Sequence, residues 1–257
     1  MYYAGPFPSV IGSLRRQLCF RHGRCARRSR PPGTLQRLAL GGLTPWPELL
    51  ARIRAESKIP VRCLMRPRPG DFLYSDEEIA LLCSQMPPLL QAGADGFVIG
   101  VLTPDGDLDR PATQRLCSAA QGAGLTLPRA IDVSRDPLQT YRDAAALGIA
   151  TVLTSGAAAS CLAGEKTLEQ LLALRDKING PQVLIGAGVN AEAIRRLRAG
   201  LPGAAAFHMS GKTERESRMR FRREGVPMGL PGLDEWHIQQ TDEAAVRAAS
   251  LALHAAL

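Results

Sequence analysis

The sequence predicts an α/β protein built as a (β/α) barrel of the TIM type, and three observations carry that prediction. Apolar runs of strand length alternate with helix-like segments from Lys58 onward, at a spacing of roughly 25 to 30 residues, which is that of βα units in a parallel sheet. Helix starts and stops carry their usual punctuation at the same spacing. A length of 257 residues suits one such barrel, and an apolar content of 45% supplies its core.

Taken in order, the candidate strands are Ile59–Met65, Gly96–Leu102, Leu125–Ile131, Ala150–Thr154, Gln182–Ile185 and Ala204–Met209. Ser75 with Glu78 three residues on is a capping box, so a helix is expected from about Asp76, although Pro87 and Pro88 inside it predict a kink or a restart. Asp136 before Pro137, Thr167 with Gln170, Asn190, and Thr241 before Asp242 mark further helix starts. Gly93, Gly148 and Asn179-Gly180 mark helix ends. Lys212 to Gln240 has no clear element and is expected to be a mobile loop.

The N-terminal portion is atypical. Residues 1–40 show no clean strand, with Gln17–Phe20 the only weak candidate, and are expected to be poorly ordered. Residues 41–257 are expected to form the barrel, which the N-terminal portion then leaves incomplete.

Charge separates the same two parts. The formal charge is +8, yet residues 1–47 contain eight arginines and no acidic residue, so the remainder is formally neutral. A phosphate-tracking surface needs a basic body, and none is expected, which argues against a nucleic-acid partner. No apolar run is long enough to span a membrane and no signal-like core is seen, so a cytoplasmic protein is the expectation. Six scattered cysteines without CxxC pairs are expected to be reduced thiols. Cys19, His22 and Cys25 are ligand types at short spacing, but they do not complete the four ligands of a closed tetrahedral site.

Parallel βα architectures collect their working residues at the carboxyl ends of strands. Those positions hold Arg66, Arg68 and Asp71, then Thr103 and Asp105, Arg129 and Asp132, Thr154 and Ser155, Gly186 and Gly188, and finally His208 and Ser210. Arg66 and Arg129 are suited to clamping a carboxylate or phosphate, with Asp71 or Asp132 orienting them or acting as a base. Pairing of each arginine with its nearby aspartate is the plainer alternative. The backbone at Gly186–Asn190 and Ser210 is of the kind that receives anions at a helix start. Soft metal ligands are fewer: Cys63 and Met65 lie two apart and share a strand face, and Cys161 follows the fourth candidate strand. Thiolate and thioether suit Cu(I).

The chain resembles the CutC family of copper homeostasis proteins. The resemblance rests on Gly41-Gly-Leu-Thr-Pro45, Met65-Arg-Pro-Arg68, Gly70-Asp-Phe-Leu-Tyr-Ser-Asp76, Gly93-Ala-Asp-Gly96, Arg129-Ala130 with Asp132, Leu153-Thr-Ser-Gly156, Gly188-Val-Asn190 and Phe207-His208 with Ser210. It implies a (β/α) barrel in the cytoplasm, a homodimer or higher homo-oligomer, and copper as the bound metal. Two departures stand out. Gly33-Thr-Leu35 occupies the place of a family Glu-Leu-Cys, and Pro128 replaces a histidine ahead of Arg129. Two functions are therefore expected as alternatives: copper binding in homeostasis, or an enzyme or sensor for a small phosphorylated or carboxylated metabolite.

Overall fold

The computed structural model describes residues 16–21, 33–34, 42–223, 225–226 and 236–255. Each apolar run named above forms a strand, trimmed where proline removes a backbone donor. Ile59-Pro60 stays outside, so the strand there is Arg62–Leu64; Pro128 stops the next-but-one at Leu127, and Arg129–Val133 tightens into a 3-10 turn. In chain order the strands are β1 (Arg16–Arg21), β2 (Gly33–Thr34), β3 (Arg62–Leu64), β4 (Gly96–Val98), β5 (Gly124–Leu127), β6 (Thr151–Thr154), β7 (Gln182–Ile185) and β8 (Ala206–Met209). They close one barrel.

Strands β2 to β8 are parallel, whereas β1 runs antiparallel to both β2 and β8. The weak candidate at Gln17–Phe20 thus lies within β1, and the ring expected to be incomplete is closed by a strand of opposite direction. Apart from β1 and β2, residues 1–40, including His22 and Cys25, fall outside the described residues.

Among the described residues seven α-helices follow the strands: α1 (Pro47–Glu56), α2 (Asp76–Gln91), α3 (Arg110–Ala119), α4 (Pro137–Ala146), α5 (Glu165–Ile178), α6 (Ala191–Gly200) and α7 (Glu243–His254). Ser75 and Glu78 make the full reciprocal capping box at the start of α2. That helix does not restart at Pro87-Pro88. The carbonyls that lose their usual donors to the prolines belong to Cys83 and to exposed Ser84, while Leu82, Met86 and Leu89 anchor the other side in the core. Helix α5 starts two residues before Thr167 without a side-chain cap, so the apparent capping box there lies inside the helix.

The stretch expected to be a mobile loop contains a two-stranded ribbon, β9 (Lys212–Glu216) paired antiparallel with β10 (His237–Thr241). Its alternating charges hide it from a search for apolar strands. At the far end of the ring, buried Arg198 of α6 donates from Nη1 to the carbonyls of Ala252 and Ala255, each at 2.9 Å, and so fastens the end of α7.

Strand alternation divides the barrel side chains into two sets. Cys63, Met65, Phe97, Ile99, Leu127, Val152, Ile185 and Phe207 belong to the core between sheet and helices, where each fully buried aliphatic or aromatic side chain contributes about 1.5–3 kcal/mol. The other set lines the lumen. Its lower part is polar, with Arg62 donating to Thr126, and a separate apolar layer of Leu153, Leu184 and Ala206 closes it above.

Candidate functional site

The strand ends above that layer form the site. Neighbouring strands pair Leu153 with Leu184 and Ile185 with Phe207, so the register continues to a row of Ser155, Gly186 and His208 on the lumen side of the mouth. Arg129 joins this row from the 3-10 turn after β5. In that turn residues three apart eclipse one another, which brings Asp132 under Arg129 and sets Arg129 Nε 2.7 Å from Asp132 Oδ2.

Asp132 is enclosed and its oxygens are occupied. They accept from Arg129 Nε, from Thr154 Oγ1, from the Ser155 amide at 3.0 Å and from the Ala157 amide at 3.1 Å. Ser155 Oγ lies 2.9 Å from Asp132 Oδ2 and 2.6 Å from the Ala158 carbonyl, so its one proton is shared between two acceptors. A carboxylate held by this many fixed donors is an orienting group, with no free lone pair directed at the mouth. Arg129 Nη2 donates to Ser155 Oγ at 3.1 Å and to the Ala158 carbonyl at 3.4 Å. Its Nη1 has no partner among the described residues, and the side chain is 45% exposed.

The loops that hold these groups are tightly specified. At Gly156, φ is +78° and a Cβ would stand 2.3 Å from the Gly164 carbonyl oxygen, so only glycine lets the loop fold back on the start of α5. Ala187 and Gly188 are consecutive left-handed residues, with φ of 69° and 73°. The Ala187 carbonyl accepts from the Cys161 amide at 2.9 Å, tying the loop after β7 to the loop after β6. Asn190 then caps α6 by accepting from the Ala193 amide at 2.9 Å.

His208 is 9% exposed. Burial, and secondarily the positive charge of Arg129, pull its pKa down to about 4, so the imidazole is neutral at physiological pH. Ser210 follows, partly buried, where β8 ends.

Arg66, Arg68 and Asp71 form a second group on the loop after β3. Arg68 pairs with Asp71 at 2.9 Å and with Glu78 at 2.8 Å, and lies over Tyr74. Arg66 is buried; its Nη2 donates to the Gly70 carbonyl at 2.6 Å and its guanidinium lies over Phe72. Its backbone amide donates to Thr44 Oγ1 at 2.9 Å, which joins the segment ahead of α1 to the mouth. The structure thus brings together Arg129, Asp132, Thr154, Ser155, Gly186 and His208, while Arg66 is engaged by Gly70 and Phe72 of its own loop and, through its amide, by Thr44. Thr103 is used in a turn, where its Oγ1 accepts from the Asp107 amide at 3.1 Å, and Asp105 is exposed.

The thiols have a different setting. Cys63 and Met65 do share a face, but it is the face toward the helices, and both are buried in the apolar core. Burial first, and Asp95 second, push the Cys63 thiol up to about 12. Cys161 is buried in the same core and is likewise raised by burial. Metal binding needs thiolates, and among the described residues there is no group of three or more His, Cys, Asp or Glu side chains able to hold a metal ion. The described residues do not fit a copper centre.

Sequence reading missed Arg62 in the lumen and the role of Pro128. Pro128 Cδ would stand 2.8 Å from a Cβ at Gly100, so the ring takes the space that a side chain at Gly100 would fill. The signal for Arg62 was available, since it alternates with Cys63 and must face the other way.

Fold and rim together define a (β/α)-barrel protein with an arginine, a buried carboxylate and a neutral histidine at the carboxyl ends of its strands. The chain belongs to the CutC family, whose model matches residues 34–213. A family protein CutC of Vibrio parahaemolyticus is 38% identical over 84% of this chain and 87% of that protein. One from Chromobacterium violaceum is 39% identical over 84% and 86%. A crystal structure of CutC from Streptococcus agalactiae, described as a candidate copper homeostasis protein, superposes with a TM-score of 0.62 at 26% identity, covering 66% of this chain and 84% of that one. Among the described residues no helix is long and apolar enough to cross a membrane.

Proposed function

We propose that this protein binds a small carboxylate or phosphate at the carboxyl-terminal mouth of its barrel, as an enzyme or a sensor for an anionic metabolite. One observation carries this reading: Arg129 is held on two nitrogens by Asp132, Ser155 and Ala158, leaving Nη1 unengaged on the exposed side. A guanidinium fixed in this way has little side-chain freedom left to lose when an anion arrives. The α6 start, with Asn190 occupied in capping, adds backbone amides of favourable polarity at the same mouth.

Arg129→Ala tests the reading. In a thermal-shift series with phosphate, citrate and phosphorylated three-carbon acids, the wild-type protein is expected to gain stability with at least one class. The variant is expected to lose that gain. Equal shifts in the two proteins would remove Arg129 from the site.

Direct Cu(I) binding through Cys63 and Cys161 is the second reading, supported by the description of the Streptococcus relative as a copper homeostasis protein. The enclosed, protonated state of both thiols weighs against it. It requires a stoichiometric, chelator-competitive copper site that weakens in Cys63→Ser or Cys161→Ser. The family resemblance also supports a cytoplasmic homodimer or higher homo-oligomer, and the neutral body supports the lack of a nucleic-acid partner. Light scattering on the purified protein reads the oligomeric state.

A further inference from the structure

His208 is the group at the mouth that anion binding by Arg129 leaves unused. It is nine-tenths buried, and neither ring nitrogen has a hydrogen-bond partner among the described residues. A neutral imidazole offers one donor and one acceptor to a ligand. Its neighbour in the register row is Gly186, which contributes no side chain. A Cβ there would stand 2.7 Å from Leu153 Cδ1 and 3.8 Å from His208 Nδ1. Nδ1 is therefore the imidazole atom nearest the space that Gly186 keeps clear.

The charge state narrows what can sit in that space. Because His208 is buried beside the positive Arg129, its imidazole stays uncharged, so it offers a ligand a hydrogen bond without a second positive charge. We propose that the ligand of this mouth carries, next to the anionic group held by Arg129, a hydroxyl or carbonyl oxygen that hydrogen-bonds to His208. The ligand class is then a hydroxy- or oxo-carboxylate, or a phosphate ester with a neighbouring hydroxyl, in place of a simple anion. This rests on the reading of Arg129 as the anion anchor.

Matched probes separate the two claims and the two anion types. Calorimetric titration compares propionate with lactate, and inorganic phosphate with glycerol 3-phosphate, on the wild-type protein, Arg129→Ala, His208→Phe and His208→Gln. In at least one pair the probe with the extra oxygen is expected to bind about tenfold more tightly to wild type, the value of one such hydrogen bond. His208→Phe is expected to abolish that preference, weakening the probe with the extra oxygen more than its partner. As a readout that needs no variant to fold, the imidazole 15N signals of His208 in the wild-type protein are expected to shift with lactate or glycerol 3-phosphate and not with their partners. Equal affinities within both pairs, with Arg129→Ala weakening all four, would overturn the role of His208 and leave the anion site standing. No binding of any probe to wild type would overturn both.

Discussion

Asp132 has its partners spread over two loops, and a single substitution there is expected to act on stability and binding together. Asp132→Asn removes the charge that holds Arg129 and replaces one acceptor oxygen with an amide that faces backbone donors. Hydrogen bonds to charged groups are worth about 1.5–3 kcal/mol each, so urea denaturation is expected to show a loss of at least about 2 kcal/mol. His208 makes stability depend on pH. Its folded value of about 4 lies below the ordinary 6.5, so on acidification the unfolded chain takes up this proton first. Its contribution is complete above pH 6.5, declines as pH falls, and is lost below about 4, a total of about 3 kcal/mol. Stability curves between pH 7 and 4 are expected to be flatter for His208→Gln than for the wild type by this amount. Arg129 and Asp132 were legible in the sequence because they fall at the end of an apolar run expected to be a strand, although the run stops at Pro128. What it could not reveal is that the donors to Asp132 come from Thr154, Ser155 and Ala157, which only the packing of β5 against β6 decides.

Elements with strong local signals formed where their signals lay. The capping box of α2 is one, and Ser75→Ala is expected to cost about 1 kcal/mol in chemical denaturation, since the Glu78 amide loses the hydroxyl that accepts from it. Helix α2 also shows where local rules mislead: the two prolines predict a break, yet burial of Leu82, Met86 and Leu89 keeps one helix. The ribbon of β9 and β10 was illegible because Lys212-Thr-Glu-Arg-Glu216 buries no regular apolar face, and alternation of charge alone does not distinguish a ribbon from a loop. The loop after β6 carries a sharper expectation. In Gly156→Ala a methyl group meets the Gly164 carbonyl oxygen at 2.3 Å in a left-handed backbone, so a stability loss above about 2 kcal/mol is expected in urea, with the Asp132 donors displaced.

At the scale of the whole molecule, closure depends on β1. The parallel strands β2 to β8 leave two open edges, and one antiparallel strand covers both. Unpaired edges template association, so a chain lacking residues 1–21 is expected to elute as aggregates in size-exclusion chromatography, whereas one lacking residues 1–15 keeps β1 and is expected to elute as the intact protein does. Six of the eight strands were legible because each is an apolar run buried on the helix side. Of the other two, Arg16–Arg21 was legible only as the weak candidate Gln17–Phe20, since it carries charge at both ends, and Gly33–Thr34 is too short, at two residues, to be seen.

The reversed direction of β1 also fixes where the polypeptide enters. Leu18 pairs with Met209 at the top of β8 and Arg21 with Ala206 at its base, so a purification handle or reporter fused ahead of Arg16 starts its path beside His208 and will crowd any compound diffusing in. One fused after α7, whose end Arg198 pins at the opposite pole, leaves that entrance clear.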